Sequence, residues 1–198
     1  MDHTIFRWIN NLAVHTSWAN GAVKFYAENG IVLFGVLLVA VYLIARHDDN
    51  HLALATTVWA GAAALAGLGV AQLIGRPINR PRPYEAMTGV HLLVSRTTDF
   101  SFPSDHATVA GAVAAGLLLA NRRWGLVASV AALLMAFARV YTGAHYPGDV
   151  AAGLAVGAII AVIGYYVLVP LLRRLVDRLT TTPLRTLVTG ASRPALAP

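Results

Sequence analysis

Three short stretches of this chain concentrate residue types that bind anions and move protons. The first runs Gly75-Arg-Pro-Ile-Asn-Arg-Pro-Arg-Pro-Tyr84, with Arg76, Arg80 and Arg82 set among Pro77, Pro81 and Pro83. Proline fixes its own backbone and pushes the residue before it to extended conformations, so this segment is expected to be stiff and non-helical. Planar guanidinium groups on such a backbone suit two-point binding of phosphate oxygens, and a rim of arginines for lipid headgroups is the blander alternative. The second stretch is Ser101-Phe-Pro-Ser-Asp-His-Ala-Thr108, directly ahead of an apolar run. Ser104 is a good helix N-cap, which puts Asp105 and His106 in the first turn. A helix start offers unpaired N–H groups and a positive dipole end, hence an anion site, although plain capping would look the same. The third stretch is Arg139-Val-Tyr-Thr-Gly-Ala-His-Tyr-Pro-Gly-Asp149. If Pro147 opens a helix, Asp149 lies one turn beyond His145. There a carboxylate can accept the imidazole N–H and leave the other ring nitrogen free to attack. A structural Arg139–Asp149 ion pair is the alternative, but ionisable residues at membrane depth favour function.

Together these stretches hold cations, a capped helix start and two histidines, one with its own carboxylate. That is equipment for phosphoryl transfer without a metal: cations for the charge, a nucleophile, and an acid for the leaving group. No cluster has the spacing of a metal site, and no cofactor is implied. The chain has no cysteine, which excludes cysteine nucleophiles, thiolate metal sites and disulfides. His47 and His51 share a helical spacing but lie beside Asp48 and Asp49, as in a solvated loop, and His3, His15 and His91 have no evident partners.

The elements that must position these residues are apolar. Of 198 residues, 57% are hydrophobic and 12% charged, and the mean hydropathy is +0.62. An ordinary soluble domain carries roughly 25% charged residues, so a compact soluble globule is excluded, and so is a disordered chain. The net charge of +6 does not point to nucleic acid here; arginines on the cytoplasmic side of a membrane explain it better. Five apolar runs, residues 31–45, 52–74, 104–120, 125–141 and 150–172, are expected to be spans, with Phe25 and Tyr26 available to lengthen the first. Residues 1–20 contain no long apolar stretch and do not read as a signal peptide. Ile5, Trp8, Ile9 and Leu12 recur there at helical spacing, which predicts an amphipathic helix in the interface, with a sixth span as the alternative. The expected fold is therefore an all-α integral membrane bundle of five to six transmembrane helices with an N-terminal amphipathic helix. Arg46, Arg122, Arg123, Arg173, Arg174 and Arg178 then fall on one side, the cytoplasmic one, and the three chemical stretches on the other. Residues 1–179 form one membrane-embedded domain and residues 180–198 a loose cytoplasmic tail. The glycines of 61–69 and 153–164 point to close helix packing, within one chain or between chains.

In this order the three stretches resemble the signature of the type 2 phosphatidic acid phosphatase superfamily: a basic residue, six residues and Arg-Pro; Pro-Ser-Gly-His; then Arg, five residues, His, three residues and Asp. Arg82-Pro83 matches the end of the first part, Pro103-Ser104-Asp105-His106 the second with Asp for Gly, and Arg139, His145 and Asp149 the third at full spacing. The first basic position is Gly75, so Arg76, one place off, or Arg80 would stand in. The Pro-Ser-Asp-His variant and the Arg-Pro-Arg-Pro run resemble the bacitracin-resistance branch of bacterial undecaprenyl-diphosphatases. The resemblance implies a metal-independent lipid phosphatase of the bacterial inner membrane, active on the extracytoplasmic side. It would convert undecaprenyl diphosphate to the monophosphate and so recycle the carrier lipid for cell-wall synthesis. It implies His145 as nucleophile, oriented by Asp149, and His106 as the acid that later activates water. Arg82, Arg139, Ser104 and the amides after it would hold phosphoryl oxygens, while Asp105 has no assigned role. A phosphatidate or phosphatidylglycerophosphate phosphatase is the nearest rival. An anion transporter or channel is the rival from another class, disfavoured by spans that lack polar residues midway. The oligomeric state is not legible.

Overall fold

The computed structural model describes residues 1–190, and among them there are ten helices and no strand. In chain order they are α1 (Asp2–His15), α2 (Ser17–Asn29), α3 (Ile31–His47), α4 (His51–Ile78), α5 (Pro83–Ala86), α6 (Asp105–Ala120), α7 (Arg122–Tyr141), α8 (Pro147–Val167), α9 (Val169–Leu179) and α10 (Arg185–Val188). Four of the five expected apolar runs each correspond to one helix, and the fifth, 150–172, is divided at Leu168 between α8 and α9. α7, α8 and the α4–α5 segment are long and apolar enough to cross a membrane, and α2 with α3 makes a fourth candidate bent by 59°. α6 is apolar but shorter, at 16 residues.

The bundle is built around α6, which packs on α4, α7 and α8. Its inward residues, among them Ala110, Val113 and Leu117, are buried on nearly every side. Backbone approaches make this possible: a Cβ on Gly157 of α8 would sit 2.0 Å from the Thr108 carbonyl, and one on Gly111 of α6 would sit 2.3 Å from the Leu154 carbonyl. The glycine run of the last long helix therefore serves packing within the chain. Large apolar side chains face outward instead, including Val36 and Val39 of α3, Leu133 of α7 and Ile159 and Ile163 of α8. Lipid is the solvent that suits such a surface.

Three further local expectations are corrected. Phe25 and Tyr26 do not extend α3 in a straight line; they belong to α2, and the chain turns at Gly30. The arginine–proline segment is not uniformly non-helical. α4 continues through Gly75, Arg76 and Pro77 to Ile78, and Asn79 closes it in the left-handed region (φ 44°, ψ 46°). Proline lies there in the final turn, where its missing N–H removes one hydrogen bond from a helix about to end. The expected N-terminal helix is present as α1, which presents Phe6, Asn10 and Ala13 to the protein and leaves Ile5 and Trp8 outside. Asn10, the buried polar residue of that face, donates to the carbonyls of His91 and Tyr141 and tethers the loop before α6. Finally, the tail is packed as far as Gly190. Val188 of α10 is buried, Tyr42 donates to the Leu187 carbonyl, and the Gly190 amide donates to Asp49. The remainder, residues 191–198, lies outside the described residues.

Candidate active site

The starts of α6 and α8, the end of α7 and the stretch after α4 meet at one end of the bundle. His145 lies in the turn between α7 and α8 and is 2% exposed. Its Nδ1 is 2.8 Å from the Ser101 carbonyl oxygen, which can only accept, so Nδ1 carries the proton. Its Nε2 is 3.2 Å from a nitrogen of Arg82 and 3.3 Å from one of Arg139, both donors only. The Nε2 lone pair is thus fixed on the side where two guanidinium groups gather, the tautomer an attacking imidazole requires.

The arginines are buried too. Arg82, 5% exposed, donates to the Ala144 carbonyl (3.1 Å), the Asp99 carbonyl (3.2 Å) and the Asp99 carboxylate (3.0 Å). Arg139, 8% exposed, donates to the Ala27 carbonyl at 3.1 Å, and its Nε has no protein partner. A cavity of about 110 Å³ opens against this pair, lined by His106, Asp105, Pro103 and Asp99 as well as both arginines and His145. A second recess of about 330 Å³ shares Arg82, Arg139 and His106 and extends toward Glu28, Tyr84 and Val94. His106, in the first turn of α6, thus faces both.

Asp149 holds His145 less directly than its spacing suggests. Its carboxylate lies 3.8 Å from Nδ1, beyond hydrogen-bond range. One of its oxygens accepts the Ser101 hydroxyl at 2.5 Å and the Tyr146 amide at 2.9 Å, and the other accepts Arg80 at 2.6 Å. Ser101 is the intermediary, its carbonyl on the imidazole and its hydroxyl on the carboxylate. Burial pulls the His145 pKa down from 6.5 to about 4; the nearby Asp149 carboxylate opposes this, and Arg139 and Arg82 add to it. Asp99, in the preceding loop, is held below the ordinary carboxylate range. Its partial burial acts the other way, but bonds from Thr97 and Arg82 outweigh it.

Of the expected site residues, His145, His106, Arg82, Arg139, Ser104, Asp149 and Asp105 converge. The Ser104 hydroxyl is buried without a protein partner and makes no cap bond, while its amide donates to the Asp149 carbonyl. Asp105 lines the cavity and accepts from Gln72 at 3.2 Å. Arg76 is exposed on the last turn of α4 and lines neither recess. Arg80 does not reach the recesses either; its guanidinium is taken by Asp149 and Asp2 and lies over the Tyr146 ring, 3.9 Å from its centre. Gly75 has a steric reason to lack a side chain, since a Cβ there would meet the Phe100 ring at 2.0 Å and the Phe102 carbonyl at 2.5 Å. Sequence reasoning missed Ser101, Asp99 and Asp2 as site residues. Ser101 was signalled only by its place as the first residue of the second stretch. Asp2 carried no signal, lying far along the chain from both Arg80 and Asp149.

A sequence profile described as the PAP2 superfamily matches residues 56–173. The chain is 36% identical over 177 residues to undecaprenyl-diphosphatase BcrC of Bacillus subtilis (strain 168), covering 89% of each chain. It is 29% identical to the bacitracin transport permease protein BcrC of Bacillus licheniformis, over 81% of this chain and 77% of that one. The fold is that of the crystal structure of Aquifex aeolicus LpxE, with a TM-score of 0.65 at 24% identity over 83% of this chain and 94% of the other.

Proposed function

Since the chain belongs to the PAP2 superfamily, we propose that it is a membrane lipid phosphatase that removes the outer phosphate of a polyprenyl diphosphate such as undecaprenyl diphosphate. One observation carries this reading. The unprotonated Nε2 of a buried imidazole accepts from two buried arginines at a cavity whose rim holds a second histidine. In the reaction, Nε2 of His145 bonds to the terminal phosphorus as the bridging P–O bond breaks. Arg82 and Arg139 carry the charge on the phosphoryl oxygens, and His106 donates the proton taken by the leaving lipid monophosphate. His106 then accepts a proton from water, which attacks the phosphohistidine and releases phosphate. The paired recesses, which share both arginines, suit two adjoining phosphates. A monophosphate is also a better leaving group than a lipid alkoxide.

We place the reaction on the extracytoplasmic side of the bacterial cell membrane. α4, α6, α7, α8 and the bent α2–α3 pair make the crossings, and the exposed basic cluster at the far end of the bundle stays inside. A reporter fused after Pro198 is then cytoplasmic, and an extracytoplasmic signal overturns this topology. The activity is tested by comparing kcat/KM for a polyprenyl diphosphate and for phosphatidate in one detergent. Preference for phosphatidate moves the chain to another substrate class with the same residues. The similarity to a protein named as a transport permease keeps transport as the second reading, and release of inorganic phosphate by detergent-purified protein decides between them.

A further inference from the structure

Asp149 is the most fully enclosed charge in the site, with no exposed side-chain surface, and a buried carboxylate held only by neutral donors is costly. Its ionic partner is Arg80, at 2.6 Å. Arg80 in turn is held at 2.5 Å by Asp2, whose other carboxylate oxygen accepts the Gly148 amide at 2.9 Å in the first turn of α8. The same corner is closed by aromatic contacts. The Arg80 guanidinium lies over Tyr146, and the His3 ring stacks on that tyrosine at 5.1 Å between centres. The first turn of α1 thus joins the first turn of α8, the arginine–proline stretch and the site carboxylate in one hydrogen-bonded row.

We propose that Asp2 and Arg80 are positioning residues for the phosphohistidine chemistry, acting on His145 through Asp149 and Ser101 rather than on the phosphate. The inference rests on His145 being the nucleophile. Arg80 fixes the rotamer of Asp149, which fixes the Ser101 hydroxyl and, through the same residue's carbonyl, the imidazole. An arginine placed there alone would cancel the negative charge behind the ring. Asp2 restores it: one cation between two carboxylates leaves a net single negative charge on the Nδ1 side. That charge matters when Nε2 becomes bonded to phosphorus and the ring turns cationic. The remaining charges around His145 are Arg82 and Arg139 on the Nε2 side, Asp99 behind Arg82, and His106 with Asp105 across the cavity. None of these touches Asp2 or Arg80, so the Nδ1 side can be changed without touching the phosphate-facing one.

The test uses the full-length protein in detergent with a polyprenyl diphosphate. Asp2→Asn keeps the shape and removes the charge; kcat is expected to fall about tenfold with KM within about twofold, and Asp2→Glu to recover most of the loss. The acid limb of the kcat/KM profile should move to lower pH in Asp2→Asn, because the imidazole loses a negative neighbour. It should move to higher pH in Arg80→Gln, which removes a positive one. In an Asp149→Asn background Asp2→Asn should cost nothing more, since the row is already broken. Wild-type kinetics in Asp2→Asn, a change confined to KM, or equal losses with and without Asp149 each overturn the proposal. An active His145→Ala overturns instead the nucleophile assignment beneath it.

Discussion

Arginines crowd both ends of this bundle, and their surroundings differ. At the His145 end, Arg82 and Arg139 are 5% and 8% exposed, and Ala144, Asp99 and Ala27 supply oxygens to them, with the Nε of Arg139 left without a protein partner. At the opposite end Arg122, Arg123, Arg173, Arg174 and Arg178 are exposed, and none has a salt bridge among the described residues. Taking a guanidinium out of water costs several kcal/mol unless its donors are met. A fold that does so twice beside one imidazole has placed charge where it will be used. An exposed arginine needs no such partners, and in the proposed topology it serves by its charge alone, for orientation across the membrane.

The sharpest way to break this contrast is at the imidazole. His145→Ala is expected to lower turnover by at least about a thousandfold, because no neighbouring side chain can replace Nε2 as nucleophile. Phosphate release at near wild-type rate would end the mechanism. In the proposed mechanism the neutral ring is the active form, so activity on the acid side is expected to be lost as pH falls through the pKa of His145. Burial has carried that value from 6.5 to about 4. The acid limb of kcat/KM assigned to His145 should therefore lie well below pH 6.5, and a limb at 6.5 would mean an imidazole open to water.

Matched substitutions come next in size. Arg139→Lys keeps the charge but loses the planar fork that reaches Nε2 and the Ala27 carbonyl together. It is expected to cost about a hundredfold in kcat. Arg122→Lys at the other end should leave kcat/KM within about twofold. Comparable losses at both would erase the distinction between the two ends.

Much of this distinction was legible in the sequence. The spacing of Arg139, His145 and Asp149, and Pro103-Ser104-Asp105-His106 ahead of an apolar run, identified six residues that do converge, and the arginine–proline stretch supplied Arg82 as the seventh. The 3.6-residue and apolar-run patterns also found each long helix. What was missed depends on contacts that no spacing encodes. Arg80 and Arg82 are two positions apart in one repeat, yet one turns to Asp149 and Asp2 and the other to His145. Ser101 acts through its backbone carbonyl, which any residue possesses. The Asp2–Arg80 pair joins parts of the chain that meet only once α1 packs against α7 and α8. The helix through Gly75 and Pro77 was misread because proline was weighed as an interior breaker, not as a final-turn residue.

Ser101→Ala separates those two roles of one residue. The alanine carbonyl still accepts the Nδ1 proton, while Asp149 loses the hydroxyl that donates at 2.5 Å. The expected loss in kcat is about tenfold, smaller than for Arg139→Lys because the Tyr146 amide and Arg80 still hold the carboxylate. A loss as deep as that of His145→Ala would make the hydroxyl itself part of the proton path.

The smallest effect belongs to the far end. His51 at the start of α4 pairs with Asp177 of α9 at 2.6 Å, so the histidine expected in a solvated loop in fact joins two helices. The side chains are 26% and 50% exposed, and water and salt screen such a pair to about 0.2–1 kcal/mol. α9 is held mainly by Val169 and Val176, buried in a cluster with Leu54 and Ala55. His51→Ala should therefore lower the midpoint of thermal unfolding by no more than about 4 °C, with kcat/KM unchanged. Val176→Asp, which puts a charge into that apolar cluster, should lower it by clearly more. If His51→Ala instead reduced turnover, the far end would be coupled to the chemistry, and its exposed charges would need a role beyond orientation.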